Sequence, residues 1–207
     1  GPELTAEEWQ ATLDHLEGVR ADFLVASGSL PPGVPDDFYG RVRQLAQRHD
    51  IRFILDSSGS ALREAVSGGG LHLIKPSIGE LRQLTGRPLN EEHDIAAAAQ
   101  EIVDSGKSEY VAVTRGCDGA ILASRAGTWS LPAIAVETRS AVGAGDCFLA
   151  AMVFALSCER DPIHAFRYGI AAGAAAVMTP GTDLCHRDDV ERLFALVPPI
   201  TPDLHEM

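Results

Sequence analysis

Along the first half of the chain, apolar residues come in short bursts separated by joints rich in glycine, proline and charge. Trp9, Leu13 and Leu16 recur at i, i+4 and i+7 behind Thr5-Ala6-Glu7-Glu8, which has the form of a capping box, so the spacing predicts an amphipathic helix at the start. Phe23–Ala26 reads as a short buried strand. Ser27–Gly33 is punctuated by Gly28, Pro31, Pro32 and Gly33 and cannot be regular, and Pro35 then suits the first turn of a helix carrying Phe38, Val42 and Leu45. Ile51–Leu55 predicts a second strand and Ser60–Val66 a helix closed by Gly68-Gly69-Gly70. Leu71–Ile74 is a third strand, and after the Lys75-Pro76-Ser77 loop helical patterns cover Gly79–Leu84 and Ile95–Ser105. Tyr110–Thr114 supplies a fourth strand. Strands that alternate with helices in this way imply parallel pairing through crossover connections.

The rhythm then changes. Gly119–Ser124 and Thr128–Leu131 flank Arg125-Ala126-Gly127 and read as an antiparallel hairpin at the sheet edge. Three helical patterns follow, over Ala144–Ser157, Pro162–Met178 and Asp188–Leu196, and the first is apolar nearly all round, as a buried helix should be. No repeat, low-complexity tract or linker divides the chain, so residues 1–207 are expected to be a single domain.

Composition narrows the partners. The chain has 207 residues, 45% of them hydrophobic, enough to bury a substantial core, and a formal net charge of −12. Its 17 basic residues form no stripe that could track phosphates, so nucleic acid is not an expected partner. A small anionic substrate remains open to it, since backbone N–H groups hold phosphate whatever the global charge. Cys117, Cys147, Cys158 and Cys185 show no CxxC pair or zinc spacing, and four reduced, mostly buried thiols are expected. The longest apolar runs are too short to cross a bilayer, and a cytoplasmic setting without membrane contact is the expectation.

Candidate chemistry concentrates in Ser140-Ala141-Val142-Gly143-Ala144-Gly145-Asp146, where a glycine-rich turn runs straight into the buried helix. Such a turn leaves N–H groups pointing out of the first helical turn, and the helix dipole favours negative charge there. Asp146 beside it is a carboxylate able to take a proton from an attacking hydroxyl; the plainer alternative is an acidic residue that merely complements the dipole. Two other phosphate-loop patterns fail. Ser105-Gly106-Lys107-Ser108 lacks the first glycine of a Walker loop, Glu101 standing there, and reads as a helix C-cap. Gly143-Ala144-Gly145 has Phe148 at the third glycine of a dinucleotide fingerprint, which disfavours hydride transfer.

With those residues in view, the chain resembles the PfkB/ribokinase family of carbohydrate kinases, and within it the minor phosphofructokinases. Val142–Asp146 is similar to the family's GAGD signature, Ser27–Gly33 to its substrate-side loop and Lys75–Glu80 to its KPNxxE segment. Val113–Ala120 is similar to its nucleotide loop, and Ala171–Thr182 to its adenine-side helix and loop. The resemblance implies a three-layer α/β/α sandwich with a mainly parallel sheet, without the family's N-terminal strands and lid. It implies phosphoryl transfer from ATP with Mg2+, and a monovalent K+ as a further ligand, to a phosphorylated ketohexose. Fructose 6-phosphate is favoured over fructose 1-phosphate or tagatose 6-phosphate, and a nucleotide-binding fragment without catalysis is the reading from another class.

Carried over by position, the resemblance makes Asp146 the general base in contact with the sugar, and Gly143, Ala144 and Gly145 the anion-hole amides. It puts Glu80 in the magnesium shell and Ser29 on the sugar. Lys75, Ser77, Thr114, Gly116, Gly119, Ser140, Ala176, Thr179 and Gly181 fall on the nucleotide and cation side. A homodimer is implied for the full-length enzyme. The chain departs from the family at Ser77, where Asn is usual, at Ala141, where Thr is frequent, and at Asp183, where the minor phosphofructokinases carry Arg. A single hydroxyl at 77 replaces an amide's two donors and a carbonyl.

Overall fold

The computed structural model describes residues 1–200, which divide into two compact units. One comprises residues 1–115 with 121–128, the other residues 116–120 with 129 onward.

The first unit alternates helices α1 (Ala6–Glu17), α2 (Phe38–Arg48), α3 (Gly59–Ser67), α4 (Ile78–Thr85) and α5 (Glu92–Asp104) with strands β1 (Phe23–Ser27), β2 (Arg52–Asp56), β3 (Leu71–Ile74) and β4 (Ser108–Thr114). Phe23 pairs with Arg52, Ile54 with Leu73 and Leu73 with Tyr110, all parallel, as the strand–helix alternation requires. Strands β5 (Ala120–Ser124) and β6 (Gly127–Leu131) extend the sheet to six, in the order β1-β2-β3-β4-β5-β6. Only two residues join β5 to β6, so the connection is a hairpin.

Ile54, Leu55, Leu73, Ile74, Val111, Ala112 and Val113 are fully buried, so the strands read as unbroken apolar runs. Each Leu, Ile or Val taken from water contributes about 1.5–3 kcal/mol. Val42, Leu45 and Ala46 of α2, Leu62 and Val66 of α3 and Ile95, Ala99 and Ile102 of α5 complete this core with Phe53, Leu55 and Val113. The opening helix forms as expected: Thr5 accepts from the Glu8 N–H, Glu8 returns the bond to the Thr5 N–H at 2.8 Å, and Leu13 is buried.

Element ends shift where polar side chains mark them. Pro35 starts a turn, its carbonyl taking the Phe38 N–H at 2.9 Å, and the helix begins only at Phe38. Helix α5 reaches back to Glu92 because the Asp94 carboxylate accepts the Glu91 N–H, in a polar first turn that lies outside the apolar periodicity. Strand β4 starts at Ser108, a buried residue whose hydroxyl donates to the Tyr110 carbonyl at 2.7 Å.

The second unit holds a 3-10 turn at Gly116–Asp118 and helices α6 (Ala144–Ser157), α7 (Pro162–Val177) and α8 (Arg187–Phe194). Helix α7 starts where Asp161 caps the His164 N–H at 2.9 Å with Pro162 in the first position. Gly169 lets α7 approach α6 closely: a Cβ there would come within 2.9 Å of Met152 and 3.1 Å of the Phe148 carbonyl. Phe148 and Phe166 meet edge to face across this contact at 6.1 Å. Cys147 is buried as expected, but Cys117 and Cys158 are exposed, because they fall in the 3-10 turn and at the end of α6 rather than on packed faces. Among the described residues no helix is long and apolar enough to cross a membrane.

Candidate active site

At the start of α6, Gly143 takes the left-handed conformation (φ +80°) and serves as N-cap without a side chain. The Cys147 N–H closes the first helical bond on the Gly143 carbonyl at 2.8 Å, while the Ala144 N–H makes a long 3.4 Å bond to the Ala141 carbonyl. The N–H groups of Gly143 and Gly145 have no acceptor among the described residues. Asp146, in the same turn, is exposed to solvent, and the next three residues are buried. A carboxylate and two open amides therefore share one helical turn, at the positive end of a dipole fourteen residues long.

The turn is tied to the segment after α7. The Ser140 hydroxyl donates to the Gly181 carbonyl at 2.6 Å and accepts the Val142 N–H at 3.2 Å; the Arg139 N–H reaches the Val177 carbonyl at 2.7 Å. Thr179 is buried, its hydroxyl lying 2.7 Å from both the Ala176 and Asp183 carbonyls and able to donate to one at a time. Ala176 is 1% exposed, so its contribution to a ligand would come through the helix surface around it. Ser140, Thr179 and Gly181 thus belong to one latched loop. Cys185, at that loop's end, interacts with the Cys147 thiol, and burial foremost pushes its own thiol up to about 11.

Gly116 and Gly119 both have positive φ, and the Gly119 N–H returns to the Gly116 carbonyl at 3.2 Å. A Cβ on Gly119 would stand 2.0 Å from the Leu131 carbonyl oxygen, so close packing fixes that glycine whether or not a nucleotide passes.

The first unit gathers its own candidates at the carboxyl ends of its strands, the edge where open α/β sheets place ligands. Ser77 caps α4: its hydroxyl accepts the Glu80 N–H, and Glu80 Oε2 accepts the Ser77 N–H at 2.7 Å and the Ser77 hydroxyl at 2.9 Å. Ser77 also bridges to Thr114, whose N–H donates to the Pro76 carbonyl at 3.0 Å. Ser77, Glu80 and Thr114 are therefore neighbours. Glu80 Oε1 has no hydrogen-bond partner among the described residues. One free carboxylate oxygen suits Mg2+, which commonly takes one or two carboxylates and completes its shell with phosphate and water. No cluster of three or more His, Cys, Asp or Glu side chains could hold a metal alone among the described residues.

Lys75 is 7% exposed, and its ammonium lies 3.0 Å from Asp56 at the end of β2. The Asp56 carbonyl accepts the Gly28 N–H at 2.9 Å, which docks the loop that carries the exposed Ser29. Two participants escape a reading of the sequence: Asp56 as the partner of Lys75, and Tyr39, whose hydroxyl donates to the Gly28 carbonyl at 2.8 Å. A tyrosine on the Val42 and Ala46 face of α2 is the available signal, because a buried phenol requires an acceptor.

The model of the pfkB family carbohydrate kinases matches residues 3–189. The ATP-dependent 6-phosphofructokinase isozyme 2 of Mycobacterium tuberculosis is 46% identical over 198 residues, which cover 95% of this chain and 58% of that protein. The 1-phosphofructokinase of Haloferax volcanii is 31% identical over 190 residues, covering 92% of this chain and 60% of that protein. Among solved structures, phosphofructokinase-2 from Escherichia coli in complex with potassium superposes with a TM-score of 0.90 at 37% identity, covering 94% of this chain and 63% of that one. The chain thus spans about three-fifths of the length of its relatives. On the family match, and with the ribokinase-like α/β fold that the superposition establishes, the chain belongs to the pfkB family of carbohydrate kinases.

Proposed function

We propose that this chain is the nucleotide-binding and catalytic part, within one ribokinase-like kinase domain, of a kinase that transfers a phosphoryl group from ATP to a hydroxyl of fructose 6-phosphate. The observation that carries the reading is the turn at α6: an exposed carboxylate at Asp146 beside the open N–H groups of Gly143 and Gly145. Asp146 accepts the proton of the attacking hydroxyl, and the two amides hydrogen-bond the oxygens over which charge spreads in a loose phosphoryl transition state. The Ser140 latch holds this turn against the Gly181 loop, so that the amides are oriented before substrate arrives. Mg2+ bound with the nucleotide supplies neutralising charge on the phosphates, and Glu80 Oε1 is the oxygen offered to its shell. Thr114, Ser77, Gly116 and Gly119 line the nucleotide; Lys75 orders that edge through Asp56; Ser29 contacts the sugar. Potassium, present in the Escherichia coli structure, is assigned by extension to the loop after α7, where Asp183 adds a carboxylate.

Fructose 6-phosphate is preferred because identity to the 6-phosphofructokinase, 46%, exceeds that to the 1-phosphofructokinase, 31%. A homodimer and a cytoplasmic setting complete the proposal. The decisive experiment is Asp146→Asn in the intact enzyme, with fructose 1,6-bisphosphate formation measured beside ATP binding by calorimetry. The expected result is a kcat lower by about two to four decades with ATP affinity unchanged. Activity within a factor of two of the parent would remove Asp146 as the base.

A further inference from the structure

Gly28, the residue before Ser29, is held from both sides. Its N–H donates to the Asp56 carbonyl at the end of β2, and its carbonyl accepts the Tyr39 hydroxyl from the first turn of α2, at 2.9 and 2.8 Å. Its φ of +107° suits glycine, and nothing lies within 4 Å of where a Cβ would stand. Both anchors are themselves immobilised. Asp56 is ion-paired to Lys75 with their side chains 14% and 8% exposed, and Tyr39 is 7% exposed within the core formed by Val42, Leu45 and Phe53. Ser57 adjoins the phenol, and burial raises the Tyr39 pKa, so the hydroxyl stays a donor at physiological pH.

A buried tyrosine needs some acceptor, and a carbonyl in any loop would satisfy it. What distinguishes this one is its place. Gly28 and Ser29 are exposed, and Leu30, packed on the core, leads on into Pro31-Pro32-Gly33, so the two bonds on Gly28 fix the peptide that enters Ser29 from its amino-terminal side.

We propose that Tyr39 is a positioning residue for the acceptor sugar: by holding the Gly28 carbonyl it aims the Ser29 peptide and thereby sets affinity for the phosphorylated sugar. The proposal rests on the reading above that Ser29 faces that sugar. Losing the bond while keeping the ring weakens sugar binding by about three- to tenfold, the scale of one net hydrogen bond.

The test is Tyr39→Phe in the intact enzyme, beside Tyr168→Phe, which removes a tyrosine hydroxyl bonded to Glu191 at 2.9 Å and serves as a control for generic loss of such a bond. Expected for Tyr39→Phe is a rise of about three- to tenfold in KM for fructose 6-phosphate, with kcat and KM for ATP within about a factor of two, and no such split for Tyr168→Phe. Hydrogen exchange read on peptides covering residues 27–30 should accelerate in Tyr39→Phe alone. An unchanged sugar KM, or a rise shared equally by the control, overturns the proposal whatever happens to the melting temperature. If the parent phosphorylates no ketohexose phosphate, the functional reading above fails first. Exchange then still decides the positional claim: faster exchange at 27–30 upholds the anchor, and unchanged exchange overturns it.

Discussion

Gly119 shows how one residue can be fixed by its surroundings in two independent ways. Its φ of +89° disfavours any L side chain, and a Cβ would overlap the Leu131 carbonyl. Gly119→Ala is therefore expected to cost about 3 kcal/mol from strain and overpacking together, and calorimetry should show a melting temperature lower by roughly 6–12 °C. A drop below about 2 °C would mean that the turn re-forms without strain. Cys185 gives a second prediction at this scale. Because its thiol is pushed up to about 11, chiefly by burial and then by Cys147, it is protonated near neutrality. Iodoacetamide should label the exposed Cys117 and Cys158 first, and the Cys185 rate should climb about tenfold per pH unit toward pH 11. Peptide mass spectrometry follows each site, and a Cys185 rate already level by about pH 9 would contradict the shift.

At the scale of elements, the end of β3 and the start of α4 show why a capping residue matters beyond the helix that it caps. Ser77→Ala removes the hydroxyl that accepts the Glu80 N–H and donates to its carboxylate, so about 1 kcal/mol of stability should be lost. Ser77→Asn keeps a capping side chain and should melt within about 1 °C of the parent; an Asn variant as unstable as the Ala variant would show that the hydroxyl has a further partner. The same region marks how far the sequence is legible. Apolar period gives β2, β3 and α2 to within a few residues, because burial and period coincide in Phe53–Leu55, Leu71–Ile74 and Val42–Ala46. It misses the polar ends, Ser108 in β4 and Glu92 in α5, whose membership depends on particular hydrogen bonds rather than on hydrophobicity. Of the candidate residues, the glycine turn and Asp146 in the second unit are visible as a contiguous motif. The Lys75–Asp56 pair and the bond from Tyr39 to Gly28 join separate elements and become visible only on folding.

For the whole molecule, a net charge of −12 implies self-repulsion that salt should relieve. Raising ionic strength from about 0.01 to 0.1 M shortens screening from about 30 to 10 Å, and the melting temperature is expected to rise by about 2–4 °C, the equivalent of about 1 kcal/mol. A fall over that range would mean that surface pairs such as Arg48–Glu17 and Arg87–Glu101 outweigh the repulsion, against the small value usual for exposed ion pairs. Lys75 gives no relief from this excess of negative charge, because its ammonium is cancelled at close range by Asp56. Where β2 and β3 end, this pair therefore adds no net charge, and it offers a polyanion firm geometry but little Coulombic pull. Under the proposed function, that local neutrality would leave the attraction of nucleotide phosphates to the counter-ion travelling with them.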